Sequence, residues 1–505
     1  MAEEIELKLA ASADVLAAVR KHPAVAAVAR GRPRTTHLTT TYYDTPRRDL
    51  AAAGVALRLR HARGRWLQTV KGAGSVAAGL HRRSEYEWPL EAPRLDRTKL
   101  ARTPWRKLFA SGAAYRRVFA TDIERSEQPL AFADGTRATL CLDVGEIRAG
   151  RRRMPISEIE VELQTGDPSR LFELASTLAA DLPLRLEHAS KAARGYALAG
   201  GSPAGPRHAR HVELAPEASA HSALQTLGRE CLAQMEVNAA AMGSPDPEYL
   251  HQLRVGWRRL RALLKLAAPL ASPQTVASLE EELRWLGSEL GPARDYDVFA
   301  LETLAKVAAE FRGERGIARL RRRAGAHRRR AAKRARTAIL SPRTQKLFLA
   351  LGAWLASPAQ SSEPTQAPNS ARDRARGLLE EGHDKLCKRA KHAHRLDPER
   401  RHRARVAAKR QRYAAEFFAS LFSGKRVDAY LQALSRLQSA LGRLNDLQVA
   451  GKLIDEVAPR EDADAQTVHA GGVVRGWLAA STAAELKRLR EVQRAFRRCP
   501  VFWNP

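Results

Sequence analysis

Cysteine is scarce in this chain: 505 residues hold four, Cys141, Cys231, Cys387 and Cys499, far apart and without a CxxC pair. That excludes a disulfide framework and the spacing of a zinc site, and suits reduced thiols in a cytosolic protein. Long apolar runs are missing too. No stretch of about 18 apolar residues occurs, and the start, MAEEIELKLA, lacks the basic and then apolar regions of a leader. Neither export nor a membrane partner is expected, and the expected compartment is the cytoplasm. Aromatic residues make only 6% of the chain, too few for basic residues interleaved with stacking rings, so no specific nucleic-acid partner is expected. No GxxxxGK[ST] loop and no GxGxxG after a strand appears, which removes P-loop and dinucleotide sites. Acidic residues are in deficit as well: 55 Asp and Glu stand against 86 Lys and Arg, a formal charge of +31. The expected partner is therefore a polyanion.

With 44% hydrophobic residues the chain can build two or three cores. Residues 1–198 read as short alternating segments separated by turns, an α+β pattern. A Gly- and Pro-rich linker is expected at 199–212. Residues 213–500 are rich in Ala, Leu, Arg and Glu at helical spacing, which predicts an all-α bundle. The polar stretch 357–372 divides that bundle into halves of about 213–356 and 373–500. Positive charge is concentrated there: residues 1–200 hold 33 basic against 23 acidic residues, the remainder 53 against 32. The bundle is also internally duplicated. His251, Arg254, Arg258 and Arg261 recur 151 residues later as His402, Arg405, Lys409 and Arg412, and Leu290, Gly291 and Asp295 recur as Leu441, Gly442 and Asp446.

In the first 198 residues several strands carry charge on one face and apolar side chains on the other. Period-two geometry places Glu4, Glu6 and Lys8 together, opposite Ile5, Leu7 and Leu9. The pattern returns at Arg58 and Arg60, at Lys71, at Arg83, Glu85 and Glu87, and at Glu158, Glu160 and Glu162. A solvated outer face would mix Ser, Thr and Gln with its charges. A closed barrel with a charged lumen accounts for both faces, because inward and outward residues alternate along barrel strands. Arg and Lys fixed there would bind phosphate oxygens, and the carboxylates would hold Mg²⁺ or Mn²⁺.

These strings, ExExK at 4–8 followed by YYDTP, LRLR, TVKG, GLHRRSEYE, FATDIER, LDVGEI, SEIEVEL and SKAARGY, resemble the CYTH domain of the triphosphate tunnel metalloenzymes. The resemblance spans residues 1–198 and implies an eight-stranded antiparallel tunnel that hydrolyses or transfers a triphosphate with a divalent metal. It implies Glu4, Glu6 and Lys8 as catalytic residues and Glu4, Glu6, Glu158 and Glu160 as metal ligands. It implies Lys8, Arg58, Arg60, Lys71, Arg83, Arg125 and Lys191 as phosphate contacts, with Asp143, Glu85 and Arg194 as lesser candidates. Inorganic triphosphate is the expected substrate. A nucleoside or thiamine triphosphate, cyclase chemistry, and a non-catalytic polyphosphate adaptor are the alternatives.

On a helix, His251, Arg254, Arg258 and Arg261 fall within an arc of about 80°, with Leu250, Leu253, Leu260 and Leu264 on the far side. No Glu lies in 250–265 to pair with this stripe as on an ordinary solvated face. His402, Arg405, Lys409 and Arg412 repeat it. HQLRVGWRRLRALL, LGPARDYDV, HRARVAAKRQRY and LGRLND resemble the CHAD domain, which implies that these eight residues bind inorganic polyphosphate; association with polyphosphate granules would follow. Asn445 and Gln448 stand in the second half where the first has Arg294 and Asp297, so unequal contributions are expected.

Overall fold

The computed structural model describes residues 2–72, 74–109, 114–200, 205–267, 272–357, 370–422, 424–459 and 464–504. The chain forms two compact units, one of residues 1–206 with 341–357, the other of residues 207–340 with 358–505.

The first unit is built on β1 (Ala2–Ala10), β2 (Arg34–Asp44), β3 (Ala56–Ala62), β4 (Arg65–Lys71), β5 (Ser75–Ala77), β6 (Leu80–Leu90), β7 (Arg116–Ala131), β8 (Arg137–Ala149), β9 (Arg152–Thr165) and β10 (Arg185–Leu186). Eight strands run in the order β1-β9-β8-β7-β2-β3-β4-β6, and β6 pairs back onto β1 to close the ring. Every pairing is antiparallel. This is the closed barrel that the alternating charge implied. Short β5 folds onto β6, and β10 continues the edge of β1 where β6 leaves it, pairing Leu9 with Leu186. The β5–β6 turn is Ala78-Gly79, both at positive φ of 53° and 70°, the two-residue geometry that matches strand twist.

Outward residues such as Leu7, Leu9, Leu57, Leu59 and Val161 are almost fully buried. Helix Lys191–Leu198 places Ala192, Tyr196 and Leu198 against a cluster of Leu38, Tyr42, Phe119, Ile123, Ile147 and Ile156. Gly195 permits this approach, because a Cβ there would stand 2.1 Å from the Phe119 ring. That ring is itself stacked on Tyr42 and edge-on to Tyr196, so it has little room to yield. Gly195→Ala is expected to destabilise the barrel unit by about 1–3 kcal/mol, read as a lower urea midpoint of its unfolding transition.

The second unit contains α1 (Ala220–Ala240), α2 (Pro247–Ala267), α3 (Pro273–Asp297), α4 (Arg315–Leu340), α5 (Ala371–Ala390), α6 (Pro398–Phe418), α7 (Lys425–Val457) and α8 (Ala465–Arg497). Helices α1 and α5, and α2 and α6, begin 151 residues apart, so the duplication extends beyond the motifs. Ser219 and Ser370 cap α1 and α5 in the same way. These two equivalent serines also pair with each other in an antiparallel bridge, a self-pairing compatible with a local two-fold relation between the halves.

The sequence division ran the first helical half to residue 356. Helix Pro342–Ala356 instead belongs with the barrel unit. Its buried Leu347, Phe348, Leu349, Leu351 and Leu355 give it an apolar face, and it packs against helix Ser169–Asp181. Among the described residues, no helix is long and apolar enough to cross a membrane.

Candidate functional site

The barrel encloses a cavity of about 230 Å³ into which the charged faces of its strands converge. Glu4, Glu6, Lys8, Arg58, Arg60, Lys71, Arg83, Arg125, Glu160 and Lys191 all line it, as do Glu85, Glu87 and Glu162. Most of the expected tunnel residues are thus brought together; Glu158, Asp143 and Arg194 do not line the cavity itself, and Glu158 is fully buried against Lys191 and Arg194.

Strand register builds the acidic centre. Asp143 on β8 stands opposite Arg125 on β7 and Glu158 on β9. Asp143, Glu158 and Glu160 can present oxygens all within 4.8 Å of one another, a group able to hold a metal ion. An all-carboxylate set suits a hard divalent cation. Asp143, a lesser candidate from sequence, joins this centre, whereas Glu4 and Glu6 face other partners. Lys71 Nζ lies 2.5 Å from Glu4; Lys8 and Arg83 each lie 3.0 Å from Glu6.

Cations interleave with the acidic centre. Lys191 Nζ is 2.7 Å from Asp143 and 2.9 Å from Glu160, and also meets Glu158. Arg125 grips Asp143 through two bonds of 2.7 and 2.6 Å and touches Glu160. Lys8 contacts Glu160 as well.

Burial alone would raise the carboxyl pKa values, but the neighbouring cations win. Lys8 brings Glu6 down to about 2. Lys191, Lys8 and Arg125 hold Glu160 well below the carboxylate range, and Lys191 and Arg125 lower Asp143. Glu162 moves the other way, raised by burial and by Glu4.

Arg60 differs from the other cations. Buried beside Arg58 and Arg125, it is lowered to about 10 by desolvation and by their charge. Its Nε has no hydrogen-bond partner, and neither do the Nε atoms of Arg58 and Arg83. Buried donors without acceptors are costly, and phosphate oxygens would satisfy all three.

The second unit has a groove of about 770 Å³ between its halves. Seven of the eight expected residues line it: His251, Arg254, Arg258 and Arg261 from α2, and His402, Arg405 and Lys409 from α6. Arg412 departs, because Glu416 one turn on captures it at 2.6 Å and it lines a neighbouring cavity. Trp257 lies under Arg254 and Arg261, 5.9 and 4.9 Å from its ring. Asp295 and Asp446 also line the groove, and Asp446 approaches Arg405 at 4.0 Å.

Mutual repulsion marks the groove as a place for negative charge. Burial and the neighbouring Arg258 lower Arg254 to about 10, and burial with Arg294 lowers His251 to about 4. Arg254 Nε and Nη1, Arg261 Nε, Arg405 Nε and His251 Nδ1 have no hydrogen-bond partner.

A closed barrel with a charged lumen and a duplicated basic bundle define the two classes of domain present. Residues 2–196 match the CYTH domain and residues 226–455 the CHAD domain, and the chain belongs to the CHAD family. The CHAD domain from the plant Ricinus communis, a solved structure, is 36% identical, covering 59% of this chain and 99% of that one, with a TM-score of 0.51. An inorganic triphosphatase from Haemophilus influenzae is 34% identical over 200 residues, 39% of this chain. The match spans about half of that relative, 55% of its length.

Proposed function

We propose that the barrel hydrolyses inorganic triphosphate to pyrophosphate and phosphate with Mg²⁺ or Mn²⁺, and that the helical unit binds inorganic polyphosphate. The observation that carries the first part is the buried lumen with unpartnered guanidinium donors beside a carboxylate centre. The similarity to a named inorganic triphosphatase supports it. Among the described lining residues the aromatic one is Tyr42, already stacked on Phe119 at 4.4 Å. Almost fully buried, it exposes little ring surface for a base or a thiamine ring, which favours the inorganic substrate.

The roles follow from charge. Arg58, Arg60 and Arg83 hold non-bridging oxygens, while Lys8, Lys71, Arg125 and Lys191 neutralise charge that builds on the leaving pyrophosphate. Asp143, Glu158 and Glu160 would hold the divalent cation, with Glu4 and Glu6 available on β1, the strand paired with β9. A cation there would add Lewis-acid polarisation of a phosphate oxygen. Lys191 and Arg125 neutralise these carboxylates from the protein side.

In the second unit the stripes on α2 and α6 would hold a polyphosphate strand through charge-assisted hydrogen bonds. The cytoplasm is the compartment this reading favours, with association at polyphosphate granules following from the groove.

Phosphate release by the full chain from triphosphate, ATP, thiamine triphosphate and long polyphosphate, with Mg²⁺, Mn²⁺ or EDTA, tests the first part. Metal-dependent release from triphosphate, lost with EDTA and lowered about 10²-fold or more in Glu4→Ala, is expected. Absence of turnover on every substrate would leave a binding protein.

A further inference from the structure

Helix Pro342–Ala356, which the sequence carries between the two helical halves, packs onto the barrel unit. Gln345 Oε1 accepts the backbone N–H of Leu186 at 3.0 Å. Seven residues on, and therefore on the same helix face, Gly352 packs so closely that a Cβ would stand 2.3 Å from Ala78 Cβ and 2.4 Å from the Phe172 ring. One contact is to β10 and the other to the β5–β6 turn. These are the segments that clamp the peptide of Lys8.

The Lys8 N–H donates to Gly79 O at 2.9 Å, and the Lys8 carbonyl accepts from Glu187 N–H at 3.0 Å. Gly79 has no slack, since a Cβ there would lie 2.8 Å from Leu186 and 2.9 Å from Lys8 O. Glu187 is held further by its carbonyl, 3.1 Å from His81 Nε2. His81 in turn contacts Arg83, and Arg83 contacts Glu6. The Lys8 ammonium stands between Glu6 and Glu160.

We propose that helix Pro342–Ala356 is a positioning element of the catalytic barrel, in which Gln345 and Gly352 fix the strand end that presents Lys8 to the substrate. The proposal rests on the triphosphatase reading for its kinetic consequence, but the clamp itself can be tested apart from turnover. A misplacement of about 1 Å costs on the order of 10²-fold in rate, so partial loosening of the clamp should cost about tenfold.

The test uses the full chain with Gln345→Ala, Gln345→Glu and Gly352→Leu. A Glu carboxylate can accept the same Leu186 N–H, so it separates the hydrogen bond from general packing. Gln345→Ala is expected to lower kcat on triphosphate about tenfold with KM nearly unchanged. Gln345→Glu should recover most of that loss, and Gly352→Leu should reproduce it. Amide hydrogen exchange at Leu186 and Lys8 gives a second reading, expected to speed up at least about tenfold in Gln345→Ala. Unchanged exchange in Gln345→Ala overturns the proposal whatever the activity. Wild-type kcat in Gln345→Ala, or equal loss in the Ala and Glu variants, also overturns it. A wild-type protein without turnover but with the exchange effect would sink the triphosphatase reading and keep the clamp.

Discussion

Replacing Glu160 by Gln should abolish triphosphate turnover and weaken the barrel at the same time. Glu160 is 4% exposed and is shared by Lys8, Arg125 and Lys191. The substitution removes a carboxylate from the metal-competent centre and from the charge balance of three buried cations. Loss of a preorganised electrostatic group in such a site costs about 10²–10³ in kcat. Breaking a buried pair costs about 3–5 kcal/mol, because an uncompensated charge is left behind. Here each cation keeps another partner: Lys8 has Glu6, Arg125 has Asp143, and Lys191 has Asp143 and Glu158. The expected loss therefore lies at the low end of that range. Phosphate release and urea unfolding on the same preparation check both halves. Turnover at the wild-type rate would remove Glu160 from the site. EDTA should stop turnover without the same loss of stability, since the protein's own cations still balance the carboxylates.

Polyphosphate binding by the helical unit should fade as pH rises above 6, and Lys409 should be the cause. Lys409 on α6 is faced by Arg405 from its own helix, by Arg254 and Arg258 from α2, and by Asp446 from α7. Burial, and then Arg405 and Arg258, bring its ammonium down to about 6. At neutral pH the empty groove thus holds Lys409 mostly uncharged. A phosphate chain supplies the missing negative charge and lifts the pKa, so binding takes up a proton. Affinity should be highest below pH 6 and fall as pH climbs from 6 toward the bound-state pKa, by at most about tenfold per pH unit. Titration calorimetry at fixed salt, in buffers of different ionisation heat, reads the proton directly; salt must be held constant because phosphate binding depends on it. The measurement is made in a His402→Gln background, which takes the exposed imidazole out of the groove. In that background Lys409→Met should flatten the pH dependence. PH-independent affinity between 6 and 8 with buffer-independent heat would remove Lys409 from this role.

Much of the tunnel was legible because barrel strands translate sequence alternation directly into inside and outside. Glu4, Glu6, Lys8, Arg58 and Arg60 needed only the period of two. Asp143 was harder to weigh: its position depends on the β7–β8 and β8–β9 registers, which bring Arg125 and Glu158 opposite it. Register is a property of paired strands, not of either one. The basic stripes were legible from the helical period, and the Glu416 that draws Arg412 away stood four residues on as a readable signal. Helix Pro342–Ala356 gave no such signal. An apolar helical face declares that it will be covered, but its own residues do not say which core covers it.

The bridge between Ser219 and Ser370 has a further consequence for what the groove can recognise. A receptor whose halves are related by a two-fold operation presents the same contacts to a strand entering from either side. Linear polyphosphate, the ligand proposed above, reads identically in both directions, so it would meet both stripes in two equivalent alignments. A nucleic-acid strand has chemically distinct ends and must offer each half a differently oriented backbone. Ligand directionality, rather than charge alone, would then be a basis for discrimination, and the exchanges of Arg258 for Lys409 and Arg294 for Asn445, with Arg412 drawn out of the groove that Arg261 lines, mark where that degeneracy is broken.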